Sequence, residues 1–207
     1  LLIFSLGGRI LGYRPKNAVT VQEKKIAVFL CAYKGDEVIL ETAKDALNQN
    51  YPSALYDVWV LADSLKKETI TTLQTFPLSV LEVSFEQSTK SKSLIAALQH
   101  IPEDKYDYVV VLDIDNLMEP SFLSKINQAL QHGFKAVQGH RVAKNLNTNF
   151  AVLDAASEEI NNHIFRKGQR ALGFSSALIG SGMAFHYLEF KRWMLDIKAI
   201  GGFDKEL

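Results

Sequence analysis

Between residues 25 and 142, short uninterrupted apolar runs alternate with longer stretches whose apolar positions recur every three or four residues. The first pattern reads as strands buried on both faces, the second as amphipathic helices. Strands are predicted at IAVFLCAY (26–33), YDVWVLA (56–62), 80–83, the VVVL run at 109–112, and 136–142. Helices are predicted over 37–49, 66–76, 90–100 and 121–132. Asn50-Tyr51-Pro52, Pro77 and Pro102 stop the first three, and Gly133 caps the fourth. Such alternation implies right-handed crossovers and an α/β domain, with a mostly parallel sheet flanked by helices.

The second half is less regular. A polar, turn-like stretch at 144–149 precedes a long helix predicted over 150–167, and a final helix is predicted over 187–198. Between them, the Gly- and Ser-rich residues 172–185 read as an irregular, active-site-like segment. The opening residues 1–11, LLIFSLGGRIL, are apolar and too short to span a bilayer. They read equally as the tail of a membrane helix, an amphipathic flank or an ordinary hydrophobic arm. Arg9, Arg14, Lys16, Lys24 and Lys25 stand against Glu23 alone, which favours the cytoplasmic side if a span precedes them.

Composition narrows the partners. With 23 basic and 23 acidic residues the formal net charge is zero, so the broad basic field of a nucleic-acid binder is missing. The single cysteine, Cys31, has no partner for an internal disulfide, which fits a reducing compartment. The chain contains neither Gly-x-Gly-x-x-Gly nor a Gly-Lys-Ser/Thr phosphate loop, which argues against dinucleotide oxidoreductases and ordinary ATPases.

Candidate chemistry gathers at strand ends. The central strand stops at Asp113-Ile114-Asp115-Asn116, and side chains two apart on an extended chain point the same way. Two neighbouring carboxylates repel unless a cation lies between them, and hard oxygen ligands suit Mg²⁺ or Mn²⁺. Alternatively, Asp113 caps the strand and Asp115 starts a turn. The first strand ends at Ala32-Tyr33-Lys34 and the second at Asp63-Ser64, where Asp63 reads as a ligand or as a helix N-cap. Lys90 and Lys92 open a helix, either as a positive site for a diphosphate or as a solvated helix start. Together these ends suit a nucleotide with its base near Tyr33 and Asp63, phosphates near Lys92 and a metal on Asp115.

In that order the motifs resemble a family-2 glycosyltransferase of the GT-A fold, from about residue 26 to the end. Ala32-Tyr33-Lys34-Gly35 is similar to the family's Ala-Tyr-Asn-Glu, and Asp63 to the Asp that meets the nucleobase. Residues 91–96 resemble its Gly-Lys-Gly segment, Asp113 and Asp115 its Asp-x-Asp metal motif. QGHRVAKN (138–145), EINN (159–162), GSGMAF (180–185) and GGFD (201–204) resemble membrane-associated members of the cellulose-, chitin- and hyaluronan-synthase-like group. The resemblance implies metal-dependent, inverting transfer of a sugar from a nucleotide-diphosphate sugar, with UDP expected, to a glycan or lipid-linked acceptor at the cytoplasmic face of the cell membrane. Ala32, Tyr33, Asp63, Lys92 and Asp113 would bind the donor, Asp113 and Asp115 the metal. Gly180, Ser181 and Gly182 would face the acceptor, and Glu206 is the nearest match to the catalytic carboxylate. Residues 1–24 are then a juxtamembrane or N-terminal flank, and 25–207 a catalytic domain incomplete at its C-terminus. A non-catalytic nucleotide-sugar-binding module of this fold is one alternative. A haloacid-dehalogenase-type phosphatase using Asp113 is another, disfavoured by the three strands before the motif and by Asn116 after it.

Overall fold

The computed structural model describes residues 2–11, 21–197 and 202–207. Six strands form one sheet: β1 (Ile26–Tyr33), β2 (Tyr56–Asp63), β3 (Ser79–Val83), β4 (Tyr108–Asp113), β5 (Ala136–Gln138) and β6 (Met183–His186), in the order β3-β2-β1-β4-β6-β5. β1 pairs in parallel with β2 and β4, and β2 with β3. β6 alone is reversed, lying antiparallel to both β4 and β5. Helices α2 (Asp36–Ala46), α3 (Lys67–Leu73), α4 (Lys90–His100) and α5 (Phe122–Gln131) follow the first four strands. The mostly parallel sheet flanked by helices is therefore present.

The interior follows from the apolar runs. Residues 26–30 of β1 and 109–111 of β4 are fully buried, as central parallel strands covered on both faces must be. Between β2 and the residues leading into β4, the Trp59 indole N–H donates to the Tyr106 hydroxyl at 2.8 Å, which donates to an Asp57 carboxylate oxygen at 2.6 Å. Burial, followed by that carboxylate, pushes the Tyr106 phenol well above its usual range. Tyr106→Phe orphans the indole N–H and is expected to cost about 1–3 kcal/mol. Thermal melting should show it as a lowered midpoint; an unchanged midpoint would mean that the relay is not held in the native state.

Two elements differ from the sequence expectation. β5 ends at Gln138 rather than at 142, because the chain leaves the sheet there. Met183–His186, expected to be irregular, is a strand with its first three residues buried beside β4. It is followed by α8 (Tyr187–Asp196).

The chain forms two compact units. One comprises Val19–Gln138 and Ile179–Leu207, and contains the sheet; the other comprises Leu1–Ala18 and Gly139–Leu178. The smaller unit is helical: α1 (Leu2–Ile10), then α6 (Asn149–Asn161), which runs into a π-helical segment Asn162–Gly168 and a last turn, α7 (Gln169–Ala171). The long helix predicted over 150–167 thus exists and extends further. Within this unit α1 and the π-helical segment meet through glycines. A Cβ on Gly8 would lie 3.2 Å from the Gly168 backbone, and one on Gly168 only 2.2 Å from the Phe4 carbonyl oxygen. The Phe4 and Phe174 rings meet edge-on at 6.1 Å. Among the described residues no helix is long and apolar enough to cross a membrane.

Candidate functional site

The chain order places β2 on one side of β1 and β4 on the other, so the sheet reverses direction of growth at β1. Open α/β sheets bind ligands outside the carboxyl ends of strands at such a point. There the structure has a cleft of 420 Å³, built wholly from the larger unit. Its floor is Cys31, Ala32 and Tyr33 from β1, Asp63 from β2, and Asp113, Ile114 and Asp115 from the end of β4. Ser88, Thr89, Lys90 and Ser93 close one side, around the N-terminus of α4. Strand pairing explains the convergence: Tyr33 lies opposite Asp63, and Cys31 opposite Asp113.

The turns leaving β1 and β2 are strained. Lys34 and Ser64 hold φ of +50° and +59°, a region that disfavours side chains with a Cβ. The Lys34 N–H donates to the Asp63 carbonyl at 3.2 Å, so the two turns are tied together at the cleft. Asp63 is 2 % exposed and accepts a hydrogen bond from the Ser64 hydroxyl at 2.9 Å. Tyr33 is 54 % exposed, with the Lys34 ammonium 5.1 Å from its ring centre. Gly35 packs against the residue between the two aspartates: a Cβ there would lie 2.0 Å from Ile114 Cδ1, so the Ile114 side chain would have to turn aside.

The Asp pair is held from beneath. Ser181 is fully buried; its hydroxyl accepts the Asp113 backbone N–H at 2.7 Å and donates to Asn116 Oδ1 at 2.6 Å. The Asn116 amide in turn donates to Asp115 Oδ1 at 2.9 Å. The flanking Gly180 and Gly182 have φ of +78° and +68°, which lets the chain fold tightly around that serine. Gly182 N–H donates to the Val111 carbonyl at 2.9 Å, and the Gln138 side chain donates to the Ser181 carbonyl at 2.9 Å and accepts from Ile179 N–H at 3.0 Å. The Lys90 ammonium pairs with the Asp113 carboxylate and donates to the Gly180 carbonyl at 2.6 Å. One cation thereby joins the α4 N-terminus, the Asp pair and the Gly-Ser-Gly turn. Burial pushes the Cys31 thiol up to about 11, against the partial offset of Lys90, so it is a neutral wall rather than a nucleophile.

Of the residues marked from sequence, Ala32, Tyr33, Asp63, Asp113 and Asp115 meet in the cleft. Lys92 does not: its ammonium donates to the Gln87 carbonyl at 2.6 Å and lies 5.9 Å from the Phe85 ring centre, and Lys90 takes the place beside the carboxylates. Gly180, Ser181 and Gly182 sit under the Asp pair instead of lining the cleft. Glu206 is exposed in the C-terminal turn, away from the cleft lining. The Asp204 carboxylate lies 3.9 Å from where a Cβ on Gly180 would stand; Gly201 lies outside the described residues. Sequence reasoning marked Ser181 for the acceptor side and missed its bonds to Asp113 and Asn116; a small polar residue next to paired carboxylates was the available signal for Asn116.

The donor set fits a divalent cation bound with a phosphorylated ligand. Asp113 and Asp115 offer hard oxygens, while among the described residues no cluster of three or more His, Cys, Asp or Glu side chains forms a complete protein cage. Mg²⁺ and Mn²⁺ are commonly held by one or two carboxylates, with water and phosphate oxygens completing the shell.

A family model described as "Glycosyltransferase like family 2" matches residues 23–207. Among solved structures, the mannosyltransferase PcManGT of Pyrobaculum calidifontis, solved with GDP-Man and Mn²⁺, superposes with a TM-score of 0.67 at 18% identity over 99% of this chain. The S. aureus TarS fragment 1–349 gives 0.60 at 14% identity over 87% of the chain. Its complex with UDP-GlcNAc gives 0.50 at 16% over 60%. At these identities the likeness is one of fold. The chain spans 56%, 53% and 36% of those three proteins' chains, respectively. No curated protein sequence matches.

Proposed function

The chain belongs to the family-2-like glycosyltransferases and has their GT-A fold, and on that premise we propose that it transfers a sugar from a UDP-sugar to a saccharide or lipid-linked acceptor, with inversion. The observation that carries this is the meeting of Asp63, Tyr33, Lys90 and the Asp113/Asp115 pair in one cleft at the strand tips. Tyr33 supplies a face for the base, and Asp63 an acceptor for its N–H groups. Lys90 and the α4 N-terminus supply positive charge for the diphosphate.

In the proposed reaction the bond from the anomeric carbon to the diphosphate oxygen breaks as the acceptor oxygen attacks the opposite face. The electron pair leaves with the diphosphate, and the acceptor's proton passes to a carboxylate. Asp115, with Asp113, would hold the divalent ion, whose chemistry is to neutralise charge on the departing diphosphate. Lys90 already balances Asp113, which leaves Asp115 the more available ligand. We propose the cytoplasmic face of a membrane as the place of action, supported by the basic excess of residues 9–25.

A second reading, a nucleotide-sugar-binding module without turnover, is favoured by one observation: Glu206 is not among the residues that line the cleft. Sugar release separates the two. With Mn²⁺ and a panel of UDP- and GDP-sugars, free sugar or transfer product is expected, reduced roughly 10²–10³-fold in Asp115→Ala. Saturable donor binding with no released sugar would support the module instead.

A further inference from the structure

The smaller unit differs from the rest of the chain in charge and in what it exposes. It contains eight Lys and Arg (9, 14, 16, 141, 144, 166, 167, 170) against three acidic residues (154, 158, 159), a formal charge of +5. The whole chain is neutral, so the sheet-containing unit is −5. Among the described residues, the smaller unit also holds 13 of the 18 exposed large hydrophobics, within about a quarter of the chain. Monomeric proteins rarely leave so much apolar surface uncovered in one region without a partner for it.

That surface is organised by helix. On α1, Leu2, Ile3, Leu6 and Ile10 are 80%, 72%, 55% and 72% exposed and share one face, a stripe roughly 100° wide. The neighbouring face, with Gly7 and Gly8, is buried against the rest of the unit. On α6, Phe150, Leu153 and Ile160 fall at i, i+3 and i+10, again on one face, and are 84%, 66% and 56% exposed. No residue of α6 is buried, so packing among the described residues does not account for these side chains. Two of the three acidic residues are engaged inside the unit: Glu158 with Arg166 at 3.0 Å and Glu159 with His140 at 2.8 Å. The Arg166–Glu158 pair cancels one charge of each sign and leaves the net +5 of the unit unchanged, with Lys167 exposed on its surface.

We propose that this helical unit is a docking surface for an anionic lipid bilayer, with the α1 and α6 stripes set into the interface and the Lys and Arg residues against acidic headgroups. Amphipathic helices that combine apolar stripes with basic flanks lie in the plane of such interfaces. The charge disfavours a second copy docked through the same +5 face, which would repel itself, whereas an acidic membrane attracts it. This names the contact face for the membrane location proposed above, and is independent of the donor chemistry in the cleft.

Vesicle flotation tests it, using phosphatidylcholine vesicles with and without phosphatidylserine. Wild type should float with the phosphatidylserine vesicles, and added salt should release part of it. The triple variant Phe150→Ser, Leu153→Ser, Ile160→Ser changes only exposed positions and should lose at least about tenfold in vesicle affinity. Lys167→Ala should weaken the phosphatidylserine-dependent part roughly fivefold. Nucleotide titration of the same variants should be unchanged, so failure at the membrane is distinguishable from failure of the cleft. Equal flotation of the triple variant, or no flotation of wild type, would overturn the proposal. A dimer that the triple variant dissolves, without lipid binding, would assign the face to a second copy and also overturn it.

Discussion

Ser181→Ala is expected to destabilise the protein by about 2 kcal/mol and to weaken donor binding at the same time. The reason lies in what its hydroxyl holds. It accepts the buried backbone N–H of Asp113 and donates to Asn116, whose amide steadies Asp115. Alanine leaves that N–H without its partner and lets the Asn116 and Asp115 side chains turn. For a chain of this size the loss corresponds to a melting midpoint lowered by roughly 4–8 °C. Removing a group that orients a metal ligand typically costs about 10- to 100-fold in affinity, and metal-dependent nucleotide binding should fall in that range. Lower stability with unchanged nucleotide affinity would mean that Ser181 only packs the turn.

Gly168→Ala is expected to act on the other unit, with the opposite pattern. In a helix interior alanine is ordinarily favoured over glycine by about 1 kcal/mol. Here its Cβ would stand 2.2 Å from the Phe4 carbonyl oxygen, a backbone atom that cannot turn aside. The contact should reverse the sign, giving a net loss of about 2 kcal/mol and faster tryptic cleavage at Arg9. Gly7→Ala meets only the Leu172 side chain, at 3.0 Å, and should be milder. Nucleotide binding should survive both, because all residues lining the cleft belong to the sheet-containing unit. A neutral or stabilising Gly168→Ala would contradict the close approach of α1.

How much of this was legible beforehand depended on how local the signal was. β1 and α4 run over the residues that the apolar pattern and Pro102 delimit, because burial on both faces and a helix stop are written in consecutive residues. The Asp63 and Asp113/Asp115 positions were legible for the same reason, as polar residues that end apolar runs. β6 was not: four residues after a Gly-Ser-Gly turn carry too little periodicity, and their strand character comes from pairing with β4 across 70 residues of chain. Of the two lysines that open α4, Lys90 lines the cleft and Lys92 does not, for a reason of helix geometry. Two residues apart on a helix point to different sides, and sequence alone does not say which side faces the sheet. The role of Ser181 was hidden because its partner is a backbone N–H, which no sequence pattern marks. The two-part organisation was hidden too, since residues 1–18 join 139–178 only in three dimensions.

The most direct test of the donor site is calorimetric titration of UDP, followed by GDP, into the purified chain with Mn²⁺ and again with EDTA. The account predicts saturable binding of one nucleotide with Mn²⁺, lost with EDTA and lost in Asp115→Ala. Absence of binding by both nucleotides with Mn²⁺, or binding indifferent to metal and to Asp115, would contradict it and return the Asp pair to a strand cap.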